Sequence, residues 1–145
     1  MNFLFKKICI ASDHAGFSLK EDIKNHLINK YVSIFDLGPY KNKSVDYPDY
    51  AKKLAKRVKD KKSDIGILVC GSGTGMAISA NKIKGIRAAV CYNLMSTRLS
   101  RQHNNANIIA LGSRLTKKSL SLKLVEIFLK TKFEGGRHLK RVKKI

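Results

Sequence analysis

The run Ile65–Val69 (IGILV) is apolar without alternation, and it ends at Cys70 ahead of three glycines at alternate positions, Gly71, Gly73 and Gly75. A short strand with no polar side must be covered on both faces, which is the habit of parallel sheets flanked by helices. The rest of the chain meets that demand. Lys7–Ser12, Val32–Leu37, Arg87–Val90 and Ile108–Leu111 read as further strands. Phe17–Asn29 reads as a helix with Leu19, Ile23, Leu27 and Ile28 inward. A second helix starts near Pro48, capped by Asp46, and buries Ala51, Leu54, Ala55 and Val58. Shorter helices are expected over Met76–Asn81 and Ser96–Gln102. A clear amphipathic helix over Lys117–Lys130 carries Leu120, Leu124, Ile127 and Phe128. The basic tail from Arg137 is also expected to be helical. Five strands alternating with helices in 145 residues predict an α/β protein. It is one three-layer α/β/α domain, residues 1–145, with a five-stranded, mainly parallel, Rossmann-like sheet.

Such sheets bind ligands beyond the C-terminal ends of their strands. Those ends carry Ser12-Asp13-His14, Cys70 through Gly75, Cys91-Tyr92-Asn93 and Gly112-Ser113-Arg114. The glycine loop between strand and helix lets backbone amides surround an anion. It lacks the lysine of a nucleotide-triphosphate loop, and its glycine spacing departs from the dinucleotide pattern. A cradle for an oxyanion or small ligand fits better. Cys70 is either a thiol activated by that loop or a small apolar residue ending a strand. No Asp or Glu occurs from Ile65 to Val125. Acid–base chemistry confined to that stretch falls to Cys70, Cys91, Tyr92 or His103, which favours a catalytic Cys70. Cys9 and Cys91 read as packing residues. His14 is either functional or part of local turn and cap geometry, and His103 lies in SRQHNNAN, a polar stretch leading into a buried strand. His26 reads as a surface residue and His138 as a solvated one. Arg137 and Arg141, four apart, share a helix face and suit a phosphate monoester; a solvated basic tail is the competing account.

Charge sets a second alternative. Thirty Lys and Arg against ten Asp and Glu give +20, which invites a nucleic-acid reading. Yet 23 of the basic residues are scattered lysines, and of the seven arginines only Arg57 precedes residue 87. There is no basic–aromatic stripe, so nucleic-acid contact is expected to be nonspecific at most. Three cysteines without CxxC or a histidine pair at ligand spacing point to free thiols in a reducing compartment and to no metal. No apolar run is long enough for a membrane span, and Met1–Phe5 is too short for a signal peptide core. A cytoplasmic protein without membrane partners is expected.

The stretches SDHAGFSLK (12–20), DYPDYA (46–51), CGSGTGMAISANK (70–82), GIRAAVC (85–91), SRQHNNANIIALGSR (100–114) and FEGGRH with Arg141 resemble the family of type B ribose-5-phosphate isomerases, which also includes galactose-6-phosphate isomerase subunits. The resemblance implies a cofactor-free aldose–ketose isomerase acting on a sugar phosphate through an enediolate. It implies Cys70 as the base and His103 as the acid that opens the furanose ring. Amides of Gly71, Ser72, Gly73, Thr74 and Gly75 would hold the enediolate oxygen. Asp13, His14 and Asn104 would contact the sugar, with Tyr47 closing over it; Arg114, Arg137 and Arg141 would bind substrate or phosphate. Ser72 stands where relatives often carry Thr, and either hydroxyl can relay a proton between O1 and O2. Some relatives use an acidic base elsewhere; here Ser79 offers no carboxylate. Ribose 5-phosphate is the expected substrate, in the non-oxidative pentose phosphate pathway, and allose or galactose 6-phosphate the runner-up. The resemblance also implies a homodimer with sites shared between subunits, or a tetramer built from it.

Overall fold

The computed structural model describes residues 2–145. Five strands, β1 (Lys7–Ser12), β2 (Ser33–Asp36), β3 (Ile65–Cys70), β4 (Ala88–Val90) and β5 (Ile108–Gly112), form one sheet in the order β2-β1-β3-β5-β4. All pairs are parallel, so "mainly parallel" is an understatement. Parallel pairing requires a crossover after each strand. The crossovers are α1 (Phe17–Leu27), α2 (Tyr47–Lys59), α3 (Thr74–Asn81) and α4 (Leu94–Gln102), followed by α5 (Lys118–Lys130) and α6 (Arg137–Val142).

Alternation along β3 builds the two halves of the core. Ile65, Ile67 and Val69 face one side and meet Leu19, Ile23 and Leu27 of α1 with Leu124 and Phe128 of α5. Leu68 and Cys70 face the other, under Leu54 and Ala55 of α2 and Met76 and Ala77 of α3. Gly66 on that side is small because a Cβ there would strike Leu54 of α2. The three-layer expectation therefore holds.

Helix ends differ from the sequence reading for local reasons. Helix α1 stops at Leu27, and Ile28, expected inward, is 66% exposed at the C-cap. Asp46 occupies the N-cap of α2 but its side chain accepts no amide. Helix α3 starts at Thr74 because Gly73, at φ +81°, makes the left-handed turn and releases the next residues into helix. Helix α4 starts at Leu94, capped by Asn93, whose Oδ1 accepts from Ser96 N at 2.8 Å. Lys20 is fully buried: its ammonium donates to Asp36 Oδ1 at 2.8 Å and Pro39 O at 2.7 Å. Burial opposes ionisation of Asp36, but hydrogen bonds from Lys20 and Lys24 outweigh it and hold the carboxyl below its usual range. Among the described residues no helix is long and apolar enough to cross a membrane.

Candidate active site

In the order β2-β1-β3-β5-β4 the connections leave in opposite directions from β1 and β3, and a crevice opens between their C-terminal ends. Ser12 pairs with Val69 there, so Asp13 and Cys70 come side by side. Both line a cavity of about 430 Å³ with Tyr47, Ser72, Gly75 and Arg114. Cys70 is 4% exposed. Its Sγ accepts from the Gly73 N–H at 3.0 Å. Gly73 cannot be another residue without strain, since its φ is positive and a Cβ would lie 3.0 Å from the Leu111 carbonyl carbon. Thr74 N donates to Ser72 Oγ at 3.3 Å, and Arg114 N donates to Gly71 O at 3.0 Å. Asp13 Oδ1 accepts from Gly16 N at 2.9 Å, which fixes the turn into α1. His14 is exposed, and its Nδ1 accepts from Val45 N at 3.3 Å. A thiol that accepts one loop amide, with an arginine at the rim of the cavity, suits proton transfer next to a carbonyl of an anionic substrate.

A second group gathers elsewhere. The register sets Cys70 opposite Gly112 and Gly66 opposite Ile108. His103 precedes Ile108 by five more residues, at the C-cap of α4, so it sits beyond the N-terminal edge of the sheet. The intervening four residues of strand alone span ~13 Å. His103 and Asn104 therefore do not meet Cys70 within one chain. Arg137 and Arg141, after α5 has run back to the same edge, stay with His103. The His103 and His138 rings stack with centroids 4.2 Å apart and planes 11° from parallel. Glu134 Oε2 lies 3.9 Å from His103 Nε2 and 3.6 Å from His138 Nε2. Burial holds the His138 imidazole below its ordinary range, and His103, Arg137 and Arg141 add to this while Glu134 opposes it.

Two sequence expectations need correction. His138, read as solvated, is 7% exposed under His103. His26, read as surface, is half-buried with Nε2 2.7 Å from Glu126 Oε1. Carboxylates enter from outside the acid-free stretch, because the fold brings Asp13 beside Cys70 and Glu134 beside His103. Glu134 was not singled out by sequence; its spacing of four from His138 was the available signal. His103, Glu134 and His138 place ligand-type atoms within 4.8 Å of one another. Imidazole lone pairs lie in the ring planes, so the nearly parallel rings are arranged for stacking and carboxylate contact and do not converge on one ion. Burial pushes the Cys9 thiol up to about 11 and raises that of Cys91 as well, in keeping with packing roles.

The family model for Ribose/Galactose Isomerase matches residues 8–145. Ribose-5-phosphate isomerase B of Escherichia coli is 45% identical over 140 residues, covering 97% of this chain and 94% of that protein. The solved ribose-5-phosphate isomerase B of Clostridium thermocellum superposes with a TM-score of 0.94 at 49% identity, covering 95% and 93% of the two chains. That of Mycoplasma genitalium, solved with bound ribulose-5-phosphate, gives 0.91 at 46% identity, covering 94% and 91%. With the family model spanning nearly its whole length, the chain belongs to the ribose/galactose isomerase family.

Proposed function

We propose that this chain is an aldose–ketose isomerase that interconverts d-ribose 5-phosphate and d-ribulose 5-phosphate. The observation that carries the reading is the Cys70 thiol lining a crevice beside the glycine loop, with the Gly73 N–H on its sulfur. The ribulose-5-phosphate held by the Mycoplasma genitalium relative supports the choice of sugar.

In this reading the Cys70 thiolate takes the proton from C2 of the open-chain aldose. The C2–H electrons form the C1–C2 double bond and O1 becomes the enediolate oxygen, held by amides of the loop from Gly71 to Gly75. The Ser72 hydroxyl relays the O2 proton to O1. The C2–O2 carbonyl then forms as C1 takes the proton back from sulfur, giving the ketose. No cofactor enters this balance. Asp13, His14 and Tyr47 hold the sugar, and Arg114 its anionic end.

Ring opening falls to His103, which protonates the furanose oxygen as its bond to C1 breaks and the C1 hydroxyl gives its proton to solvent, leaving the C1 aldehyde. Because His103 lies at the far edge of the sheet from Cys70 in its own chain, it serves the crevice of a second subunit, along with Asn104, Arg137 and Arg141. The enzyme is thus a homodimer with two shared sites, acting in the cytosol in the non-oxidative pentose phosphate pathway.

The test is turnover of ribose 5-phosphate by wild type and Cys70→Ala, with allose 6-phosphate alongside and EDTA present. Wild-type turnover that Cys70→Ala abolishes, while ribose 5-phosphate still binds, is expected. Turnover of the hexose alone would reassign the substrate; near-wild-type turnover by Cys70→Ala would remove the thiol from the base role.

A further inference from the structure

The segment that carries His103 and Asn104 is tied back to α4 by its backbone, His103 N donating to Leu99 O at 2.9 Å and Asn105 N to Arg101 O at 3.1 Å, and is further held by two arginines. It leaves α4 at Gln102, turns at Asn105 with φ +46°, and enters β5 at Ile108. Arg101 is 5% exposed. Its Nη1 donates to Asn105 Oδ1 at 3.0 Å and Ala106 O at 2.6 Å, and its Nε donates to Thr131 O at 3.1 Å. Arg87 works from β4's side: its Nε donates to Asn104 O at 3.1 Å and Asn105 O at 3.0 Å. Among the described residues neither guanidinium has a carboxylate within ion-pair distance.

Burying a cation without a counter-ion costs several kcal/mol, and an apolar side chain usually fills such a place at less cost. Burial pushes Arg101 down to about 10, with Arg87 adding to it. Packing alone does not account for a charge here, since Phe5 and Phe128 already lie under the guanidinium at 5.0 and 5.7 Å. A rigid fork does what an apolar residue cannot, joining two backbone segments at fixed distance. One segment is the turn after His103. The other is Thr131, the C-cap of α5, where a cation also meets the negative end of the helix. From Thr131 the chain runs on to Glu134, whose N–H donates to Gln102 O at 3.1 Å, and to His138 stacked on His103.

We propose that Arg101 is a positioning residue for ring opening: its guanidinium sets the His103 turn against the segment from Thr131 to His138, so that the imidazole meets the ring oxygen in register. The inference rests on the isomerase reading above. It assigns a task to a side chain that touches no substrate.

The experiment separates ring opening from isomerisation. In Cys70→Ala protein, exchange between the α and β anomers of ribose 5-phosphate is followed by saturation transfer at C1. Ring opening without isomerisation accelerates this exchange over buffer, and adding His103→Asn removes the acceleration. Adding Arg101→Lys, which keeps the charge and loses the fork, is expected to cut it by about tenfold or more, in line with the cost of misplacing a catalytic group. Thermal melts confirm that each variant is folded. Asn105→Ala, which deletes one acceptor of the fork and keeps the arginine, is the second variant should Arg101→Lys fail to fold. Undiminished exchange in a folded variant would overturn the positioning role and leave the isomerase reading intact. No acceleration in Cys70→Ala protein would remove ring opening from His103, and the positioning role with it. A wild type inactive on every sugar phosphate would overturn both.

Discussion

Mixing two inactive variants should restore activity. Cys70 and His103 lie at opposite edges of one sheet, separated by at least the four-residue step from Gly66 to Cys70, or ~13 Å of strand. A furanose is about 5 Å across at its widest, so one chain cannot present both groups to the same sugar at hydrogen-bond reach. The proposed homodimer can, if its two-fold axis sets the N-terminal edge of each subunit against the C-terminal edge of its partner. In a Cys70→Ala/His103→Asn heterodimer, one site holds both defects and the other holds neither. Random pairing makes half the dimers mixed, each with one intact site of two, so co-expression at equal levels should give about a quarter of wild-type turnover. The assay is ribose 5-phosphate isomerisation by the co-expressed mixture, with differently tagged heterodimer purified alongside and expected near half. Turnover no higher than the sum of the two homodimers would refute the reasoning and return His103 to its own chain or remove it from the site.

Three further outcomes follow from local geometry. A Cβ on Gly75 would lie 2.7 Å from Cε2 and Cζ of Tyr47 where ordinary contact begins at 3.4 Å. The ring, 41% exposed, can retreat, so Gly75→Ala should move the melting point by no more than about 3 °C yet lower kcat/KM roughly tenfold or more; unchanged kcat/KM would take Tyr47 out of the site. Lys20→Met should cost about 2–4 kcal/mol in urea unfolding, because it strips a buried cation from Asp36 and leaves Pro39 O unpaired; a loss under about 1 kcal/mol would show that Lys24 suffices for Asp36. Glu126 is held at about 2 by the Lys30 hydrogen bond, aided by His26 and Lys130 against burial. Its folded value lies below its unfolded value, so its stabilisation is complete above roughly pH 4.3 and disappears as pH falls through about 2. Glu126→Gln should therefore melt lower than wild type at pH 7, with the gap closing near pH 2 in calorimetry; a constant gap would contradict the ion cluster.

What could be read from the chain, and what could not, divides by the range of the interactions involved. The strands were legible because apolar runs between turns are local, and β1 and β3 fall within a residue of expectation. The crevice beside Cys70 was legible for the same reason: strand, glycine loop and helix are contiguous, and the fold rule places strand ends at a crevice. Helix α3 was read two residues late because Gly75 counts as a breaker in sequence, although only Gly73 carries the positive φ. Ile28 was read inward because the apolar period runs on after the helix has stopped. The far half is another matter. Whether His103 lies beside Cys70 depends on α4 running antiparallel to the strands, a consequence of every crossover at once. His138 looks solvated in sequence because its partner is one stacked ring from a distant segment, and nothing in sequence marks Arg101 as buried because its partners include a backbone carbonyl 30 residues away. A buried cation satisfied by carbonyls leaves no compositional trace, since every residue supplies a carbonyl. The residues that hold such a turn in place are therefore harder to find in a sequence than the histidine it carries.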